Sequence, residues 1–263
     1  MSDTYEIYAI HYGHHDRKAH ENFIGGDPHE DGDIPLDYFV WAIVGTERTF
    51  VLDTGFASDM AAKRGRQLVR PVADGLKAIG VDPTGVGDVI LSHMHYDHAG
   101  NLPLFPKARF HIQDAEMEYV TGRSMCHAAL RGAFEAEHAA QMVHNVFDGR
   151  VQFHDGVSEL APGISLHKVG GHTKGLQVTR VKTRRGWVVL ASDAAHLYAN
   201  MERMHPFPIV VDVDDYLEAF RTIRGLASSE AHIVPGHDPL VLARYPRAKT
   251  GLTGIVRLDA EPK

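Results

Sequence analysis

The sequence predicts a layered α/β domain. Three observations carry that reading. Its β-rich runs fall into two sets separated by a long helix-compatible stretch, helical periodicity recurs between and after the strands, and glycine and proline are scattered as turn punctuation. With no internal repeat, low-complexity segment or linker to mark a boundary, one domain over residues 1–263 is the expected organisation.

Residues 39–44 and 49–52 are short β-rich runs separated by Gly45-Thr46-Glu47-Arg48, a hairpin signal, and they end at Asp53-Thr54-Gly55. From Pro71 the apolar residues Val72, Leu76 and Ile79 recur at i, i+4 and i+7, and Gly80 closes the segment, the signature of an amphipathic helix. Residues 88–91 form a buried strand that runs straight into Ser92-His93-Met94-His95-Tyr96-Asp97-His98. Another strand follows at 108–112. Residues 114–146 are helix-compatible with breaks at Gly122 and Gly132, a pattern that suits a mobile helical insert. The β character returns at 151–153, 164–169, 176–181 and 186–191, the last two joined by a turn around 183–186. Residues 214–226 make a second amphipathic helix with Tyr216, Phe220 and Ile223 on one face, and 231–234 a final strand into Pro235-Gly236-His237.

The composition narrows the partners. Lys plus Arg number 27 against 34 Asp plus Glu, a formal net charge of −7, and no run of like charges marks a surface for nucleic acid or anionic lipid. No apolar stretch is long enough to span a bilayer, and the start Met1-Ser2-Asp3-Thr4-Tyr5-Glu6 lacks the segments of a signal peptide, so a cytoplasmic protein without membrane partners is expected. The single cysteine, Cys126, excludes an internal disulfide and a Cys-rich zinc site. Any metal must be held by carboxylates and by some of the 19 histidines.

His93 and His95, two apart at a strand end, point to one face, and Asp97 and His98 follow in a bend. Four ligand-type side chains in so short a stretch match the needs of a dinuclear site. Three more ligand types stand at predicted strand ends: His172 after Gly170-Gly171, Asp193 after Ser192, and His237 after Pro235-Gly236. Glycine at these approaches lets the backbone turn tightly toward a centre. Isolated histidines such as His111, His154 and His167 read as solvated loop residues, and the irregularly spaced His11, His14, His15, His20 and His29 as a polar loop.

These residues resemble the metallo-β-lactamase superfamily, whose His-x-His-x-Asp-His signature stands here as His93-Met94-His95-Tyr96-Asp97-His98. The resemblance spans residues 38–240, including the strand into Asp53-Thr54-Gly55, and implies an αββα sandwich of two mixed sheets flanked by helices. It further implies that His93, His95 and His172 hold a first metal, Asp97, His98 and His237 a second, and that Asp193 bridges them. Zinc is the first choice of ion, with manganese, iron or cobalt as alternatives. Within the superfamily the chain looks most like the N-acyl homoserine lactonase family, in His98-Ala99-Gly100-Asn101 and Gly171-His172-Thr173-Lys174-Gly175. True β-lactamases of this fold generally lack the bridging carboxylate, so Asp193 turns the expectation from antibiotics to esters and lactones.

The implied reaction is attack of a metal-bridging hydroxide on the carbonyl of a small lactone or ester, with Asp97 as general acid for the alkoxide. The lactonases usually carry a tyrosine three residues after the bridging Asp; that position is His196, and Tyr198 lies two further on. Either is a candidate oxyanion donor. Asp53 reads equally as a residue orienting a ligand and as a strand-end turn residue. Loops 23–35 and 116–144, with Phe23, Ile24, Met117, Tyr119, Met125, Phe134 and Met142, flank the metals in the resembling family; these side chains can line an acyl pocket, pack the loops or meet a second subunit of a homodimer. The competing functions are thioester hydrolysis of the glyoxalase II type and a metal-binding module without turnover.

Overall fold

The computed structural model describes residues 4–263; Met1, Ser2 and Asp3, part of the start read above for a leader, lie outside the described residues. Among the described residues no helix is long and apolar enough to cross a membrane.

Strands β1 (Glu6–His15), β2 (Leu36–Val44), β3 (Thr49–Leu52), β4 (Gln67–Leu68), β5 (Asp88–Ile90), β6 (Arg109–Gln113) and β7 (Val151–His154) belong to a first sheet. Strands β8 (Val157–Ala161), β9 (Ile164–Lys168), β10 (Gln177–Thr183), β11 (Gly186–Ser192) and β12 (Ile233–Pro235) form a second, and β13 (Ile255–Arg257) returns to the first. The first sheet runs β13-β1-β2-β3-β5-β6-β7, with β4 beside β1; the second runs β12-β11-β10-β9-β8. Both are mixed: β3, β5, β6 and β7 pair in parallel, as do β11 and β12, while the other pairings are antiparallel.

Strand β2 shows why the sheets stack. Its side chains alternate between two cores: Phe39, Trp41 and Ile43 face the second sheet, where Leu166, Val188 and Leu190 meet them, and Tyr38, Val40 and Ala42 face a helical layer. Full burial of each such side chain stabilises by about 1.5–3 kcal/mol. That helical layer includes α1 (Ser58–Arg64), α2 (Val72–Ala78), α3 (Asp114–Thr121), α4 (Ala128–Arg131) and α5 (Ala136–Phe147). Beyond the short α6 (Tyr198–Glu202), α7 (Val213–Leu226) lays Tyr216, Ala219, Phe220 and Ile223 on the outer face of the second sheet, against Val178, Val189 and Ala191. Helix α8 (Leu240–Arg244) follows β12. The result is helix, sheet, sheet, helix.

The helical stretch breaks where glycine predicts it to: α3 is capped by Gly122 and α4 by Gly132. The N-terminal histidines correct the loop reading. His11, His14 and His15 stand on β1, a ten-residue strand whose register shifts between His11 and Gly13. That bulge breaks the alternation by which a strand is recognised in a sequence. His20 lies in a short 3₁₀ turn, Ala19–Asn22, and His29 in an exposed turn. His111, His154 and His167 likewise sit on β6, β7 and β9 rather than in loops, and His111 is buried, with Nε2 3.0 Å from Asp88 Oδ1.

Candidate metal centre

Parallel pairing gathers the ligand-type residues at one edge. Strands β3 and β5 run side by side, so Asp53 and the 92–98 segment leave the first sheet together; β11 and β12 do the same in the second, delivering Asp193 and His237. His172 comes from the β9–β10 connection. All seven predicted ligand residues, His93, His95, Asp97, His98, His172, Asp193 and His237, are buried in one cluster.

Hydrogen-bond bookkeeping fixes which nitrogens face inward. His172 Nδ1 lies 2.6 Å from the carbonyl of Ile209 and His237 Nδ1 3.1 Å from that of Asp37; a carbonyl only accepts, so these nitrogens carry the protons. His98 Nδ1 meets Asp53 Oδ2 at 2.7 Å, and His93 Nδ1 meets Ser92 Oγ at 3.0 Å while that hydroxyl donates to Asp53 Oδ2 at 2.9 Å. In the neutral rings the opposite nitrogens then turn lone pairs to the centre; burial alone would lower His98 and His237, but the Asp193 carboxylate beside their Nε2 atoms outweighs it and raises both. His93 Nε2 and His172 Nε2 lie 2.9 and 3.0 Å from His95 Nδ1, and His98 Nε2 is buried with no hydrogen-bond partner. His95 Nδ1 can serve one of these nitrogens as a donor, whereas a cation among them would satisfy all of them together. The donor set fits divalent first-row ions.

Asp193 sits between two groups of ligands. Its Oδ2 lies 3.1 Å from His172 Nε2 and 3.8 Å from His93 Nε2, and its Oδ1 lies 2.9 Å from His237 Nε2 and 3.2 Å from His98 Nε2. Asp97 Oδ2 closes the second group, 3.6 Å from His98 Nε2 and 3.9 Å from His237 Nε2. Burial, reinforced by neighbouring imidazoles, holds His93 and His95 well below the usual histidine range, which keeps them neutral and ready to coordinate. The cluster is suited to a dinuclear metal site.

The surrounding backbone is built for this convergence. Asp53, fully buried, accepts from the Ser92 N–H at 2.7 Å as well as holding His98, so it is at once the strand-end turn and the group that orients a ligand. It does so at φ 62°, and Ser192, next to Asp193, sits at φ 46°, both in the left-handed region that costs non-glycine residues about 1–3 kcal/mol. Gly171, at φ 83°, precedes His172 where a Cβ would fall 2.5 Å from Tyr216 Cα. Sequence reasoning missed Glu116: its buried carboxylate accepts from the Met94 N–H at 2.9 Å, the Thr173 hydroxyl at 2.7 Å and the Gly175 N–H at 3.0 Å, tying the 93–98 and 172–175 segments together.

Residues 33–237 match the metallo-beta-lactamase superfamily. The chain belongs to that superfamily. An N-acyl homoserine lactonase from a Bacillus species is 28% identical over 167 residues, 62% of this chain, and the match spans only 60% of that relative's length. Among solved structures, a quorum-quenching N-acyl homoserine lactone lactonase superposes with a TM-score of 0.73 at 23% identity, covering 91% of this chain and 94% of that one. A probable metal-dependent hydrolase from Staphylococcus aureus gives 0.74 at 15%, covering 100% and 97%. These likenesses show the shared αββα fold.

In this member of the superfamily the cluster floors a cleft of about 200 Å³. His95, Asp97, His172, Asp193, His196 and His237 all line it. His196 Nε2 lies 3.0 Å from Asp193 Oδ2, and its ring stacks on Phe207, with centroids 3.7 Å apart and planes at 6°. Tyr216 donates its hydroxyl proton to the Asp193 carbonyl at 2.8 Å and its oxygen lies 3.1 Å from His196 Nδ1, so both ring nitrogens of His196 are engaged, Nε2 by the Asp193 carboxylate. Burial pushes His196 down to about 3, and it stays neutral. His196 lines the cleft, as a candidate oxyanion donor must.

Tyr198 is not brought to the site. It opens α6 with its ring in the core between the sheets, under the Arg244 guanidinium at 3.8 Å, and does not line the cleft. Nor do the flanking apolar residues line it: Phe23, Met117, Tyr119, Phe134 and Met142 are buried, and Phe134 packs edge-on against His95 with centroids 4.4 Å apart. Loop 116–144 does reach the cleft, through Ala129, Leu130 and Ala133, and the other walls are Leu36, Tyr38, Tyr96, Phe207 and Ile209, with Arg17, Arg64 and Arg66.

Proposed function

We propose that the chain is a dinuclear metal-dependent hydrolase that opens a lactone or a related carboxylic ester, N-acyl homoserine lactones and smaller lactones being the substrate class suggested by its relatives. The observation that carries this reading is Asp193, which turns one carboxylate oxygen to each of two groups of imidazole lone pairs on the floor of a cleft. We assign His93, His95 and His172 to one ion, Asp97, His98 and His237 to the other, and Asp193 to both. When bound, two divalent ions, zinc in the first instance, bring the pKa of water toward about 7 and polarise an ester carbonyl.

The remaining chemistry falls to the chain. Asp97 lines the cleft, and its backbone carbonyl accepts from the Tyr12 hydroxyl at 2.7 Å, which holds the residue in place. Its carboxylate would take the proton from the attacking oxygen and pass it to the departing alkoxide. His196, in the cleft beside Asp193, is the candidate donor to the developing oxyanion. Glu116 and Asp53 keep the two ligand-bearing segments in register. The metal-loaded protein is tested against lactones, esters and thioesters with product acid titrated, with and without chelator. Chelator-sensitive lactone opening that Asp97→Asn reduces while metal content persists supports the reading. Turnover confined to thioesters overturns the lactone assignment, and no turnover of any substrate overturns the hydrolase.

A further inference from the structure

The cleft carries more positive charge than the chain neutralises. Arg17, Arg64 and Arg66 line it together with His15. Arg64 forms an ion pair with Glu135 at 2.7 Å, but the same carboxylate also takes Lys63 at 2.7 Å. Arg17 and Arg66, both half-buried, meet no carboxylate at ion-pair distance among the described residues. Asp16, next to Arg17 in sequence, turns its exposed carboxylate to His14 Nε2 at 3.2 Å and Gln67 at 3.1 Å, and Glu21 spends its own on the Lys18 N–H at 2.6 Å.

The hydrogen bonds these two guanidiniums do make go to neutral acceptors. Arg17 donates from Nε to Asn22 Oδ1 at 2.8 Å and from Nη2 to the Glu21 carbonyl, and Arg66 donates to the Tyr96 hydroxyl at 3.1 Å, to the Arg64 carbonyl at 2.7 Å and to His15 Nε2 at 3.1 Å. Because Arg66 fills the His15 Nε2 lone pair, the His15 proton sits on Nδ1, which is buried and has no acceptor. Donors therefore outnumber acceptors along this wall. Withdrawing a guanidinium from water without a counter-charge is costly, and a planar fork of N–H groups is shaped for a carboxylate or phosphate.

Both cations are mechanically joined to the ligand cluster. Arg17 lies over the Phe207 ring at 5.1 Å, and Phe207 stacks on His196. Arg66 holds Tyr96, whose hydroxyl is 3.4 Å from that of Tyr38, and the Tyr38 ring packs on His237 with centroids 5.0 Å apart. An anion on this wall is in reach of the same small cleft. At about 200 Å³ that cleft is below the roughly 300–1,000 Å³ of pockets for drug-sized ligands, which leaves little room for a long acyl chain.

Resting on the hydrolase reading above, we propose that the substrate is a short lactone or ester bearing an anionic group, and that Arg17 and Arg66 form the subsite that receives that group. Phosphate and carboxylate share the chemistry, and the test separates them. On metal-loaded protein, kcat/KM is measured for γ-butyrolactone and for its ring-carboxylated derivative, and equilibrium binding for glutarate, glycerol phosphate and neutral glycerol. Wild type is expected to prefer the charged lactone, and the preference to fall about ten- to hundredfold in Arg17→Gln/Arg66→Gln, chiefly through KM. Arg17→Lys/Arg66→Lys restores part of it, and unfolding midpoint with metal content verifies that each variant is folded.

Tighter binding of glutarate than of glycerol phosphate names a carboxylate, and the reverse a phosphate; loss of either in the double Gln variant supports the subsite. Should neither lactone be opened while anion binding still depends on the two arginines, the hydrolase reading falls and the anion subsite stands. Equal preference for neutral and charged lactones, or anion binding indifferent to both arginines, overturns the proposal and leaves the hydrolase untouched.

Discussion

Replacing Asp53 with asparagine tests how far one buried carboxylate controls the centre without touching it. Asparagine keeps the volume and tolerates the φ of 62°. Its single carbonyl oxygen can still accept from the Ser92 N–H, now at 2.7 Å, but an amide NH₂ then faces His98 Nδ1, also at 2.7 Å from the present carboxylate. Two donors cannot meet there, so His98 either loses this hydrogen bond or moves its proton to Nε2 and withdraws the lone pair it turns inward. A hydrogen bond to a charged group is worth about 1.5–3 kcal/mol, which at about 1.4 kcal/mol per tenfold is about 10- to 100-fold in affinity. The expected result is one weakened ion, at Asp97, His98 and His237, beside one retained near wild-type affinity. Competition against a chromophoric chelator, with elemental analysis of the dialysed protein, reads both. Two ions bound at wild-type affinity in Asp53→Asn would refute the reasoning, since Nδ1 would then need no carboxylate to set the tautomer.

Gly171→Ala places a Cβ 2.5 Å from Tyr216 Cα at a φ of 83°, so a loss of at least about 1–3 kcal/mol and weaker metal retention through His172 are expected from chemical denaturation and metal analysis. Tyr198→Phe is expected to leave kcat within about twofold and stability within about 1 kcal/mol, because the ring stays in the inter-sheet core; a large fall in kcat alone would return Tyr198 to the site. Asp259 accepts from the Ile7 N–H at 3.2 Å and from Arg257 at 2.8 and 2.6 Å. Burial by itself would raise this carboxyl, but those bonds outweigh it and hold the group below the usual carboxylate range. A depressed folded-state value contributes stability above the unfolded pKa of about 3.9 that is lost as pH falls through the folded value. Asp259→Asn should therefore cost about 1.5–3 kcal/mol near neutral pH, with the gap to wild type closing in acid, as urea unfolding at several pH values will report.

The candidate ligand cluster was legible because coordination demands particular residue types at particular strand ends, and His93-Met94-His95-Tyr96-Asp97-His98 meets that demand in one short stretch. Strand β1 was not, since its bulge between His11 and Gly13 scrambles the alternation. The role of Glu116 was hidden because its three partners lie in two distant segments. Position along the chain likewise misled at Tyr198: it is two residues from His196, but as the first residue of α6 it turns into the other core. Arg17 and Arg66 carry no local pattern at all, and only the folded cleft makes them neighbours.

The ligand cluster also has a mechanical consequence. Its members leave the chain from both sheets, so an ion seated among them would act as a rivet across the seam between two slabs otherwise joined by apolar contact and a few hydrogen bonds such as those of Glu116 and Gln177. Prying the slabs apart and releasing the cation become one event, and the ion's affinity adds directly to the work of unfolding. Resistance to proteolysis should therefore track metal supply, and a chain emptied in a metal-poor setting would be marked for turnover by its own loosened seam.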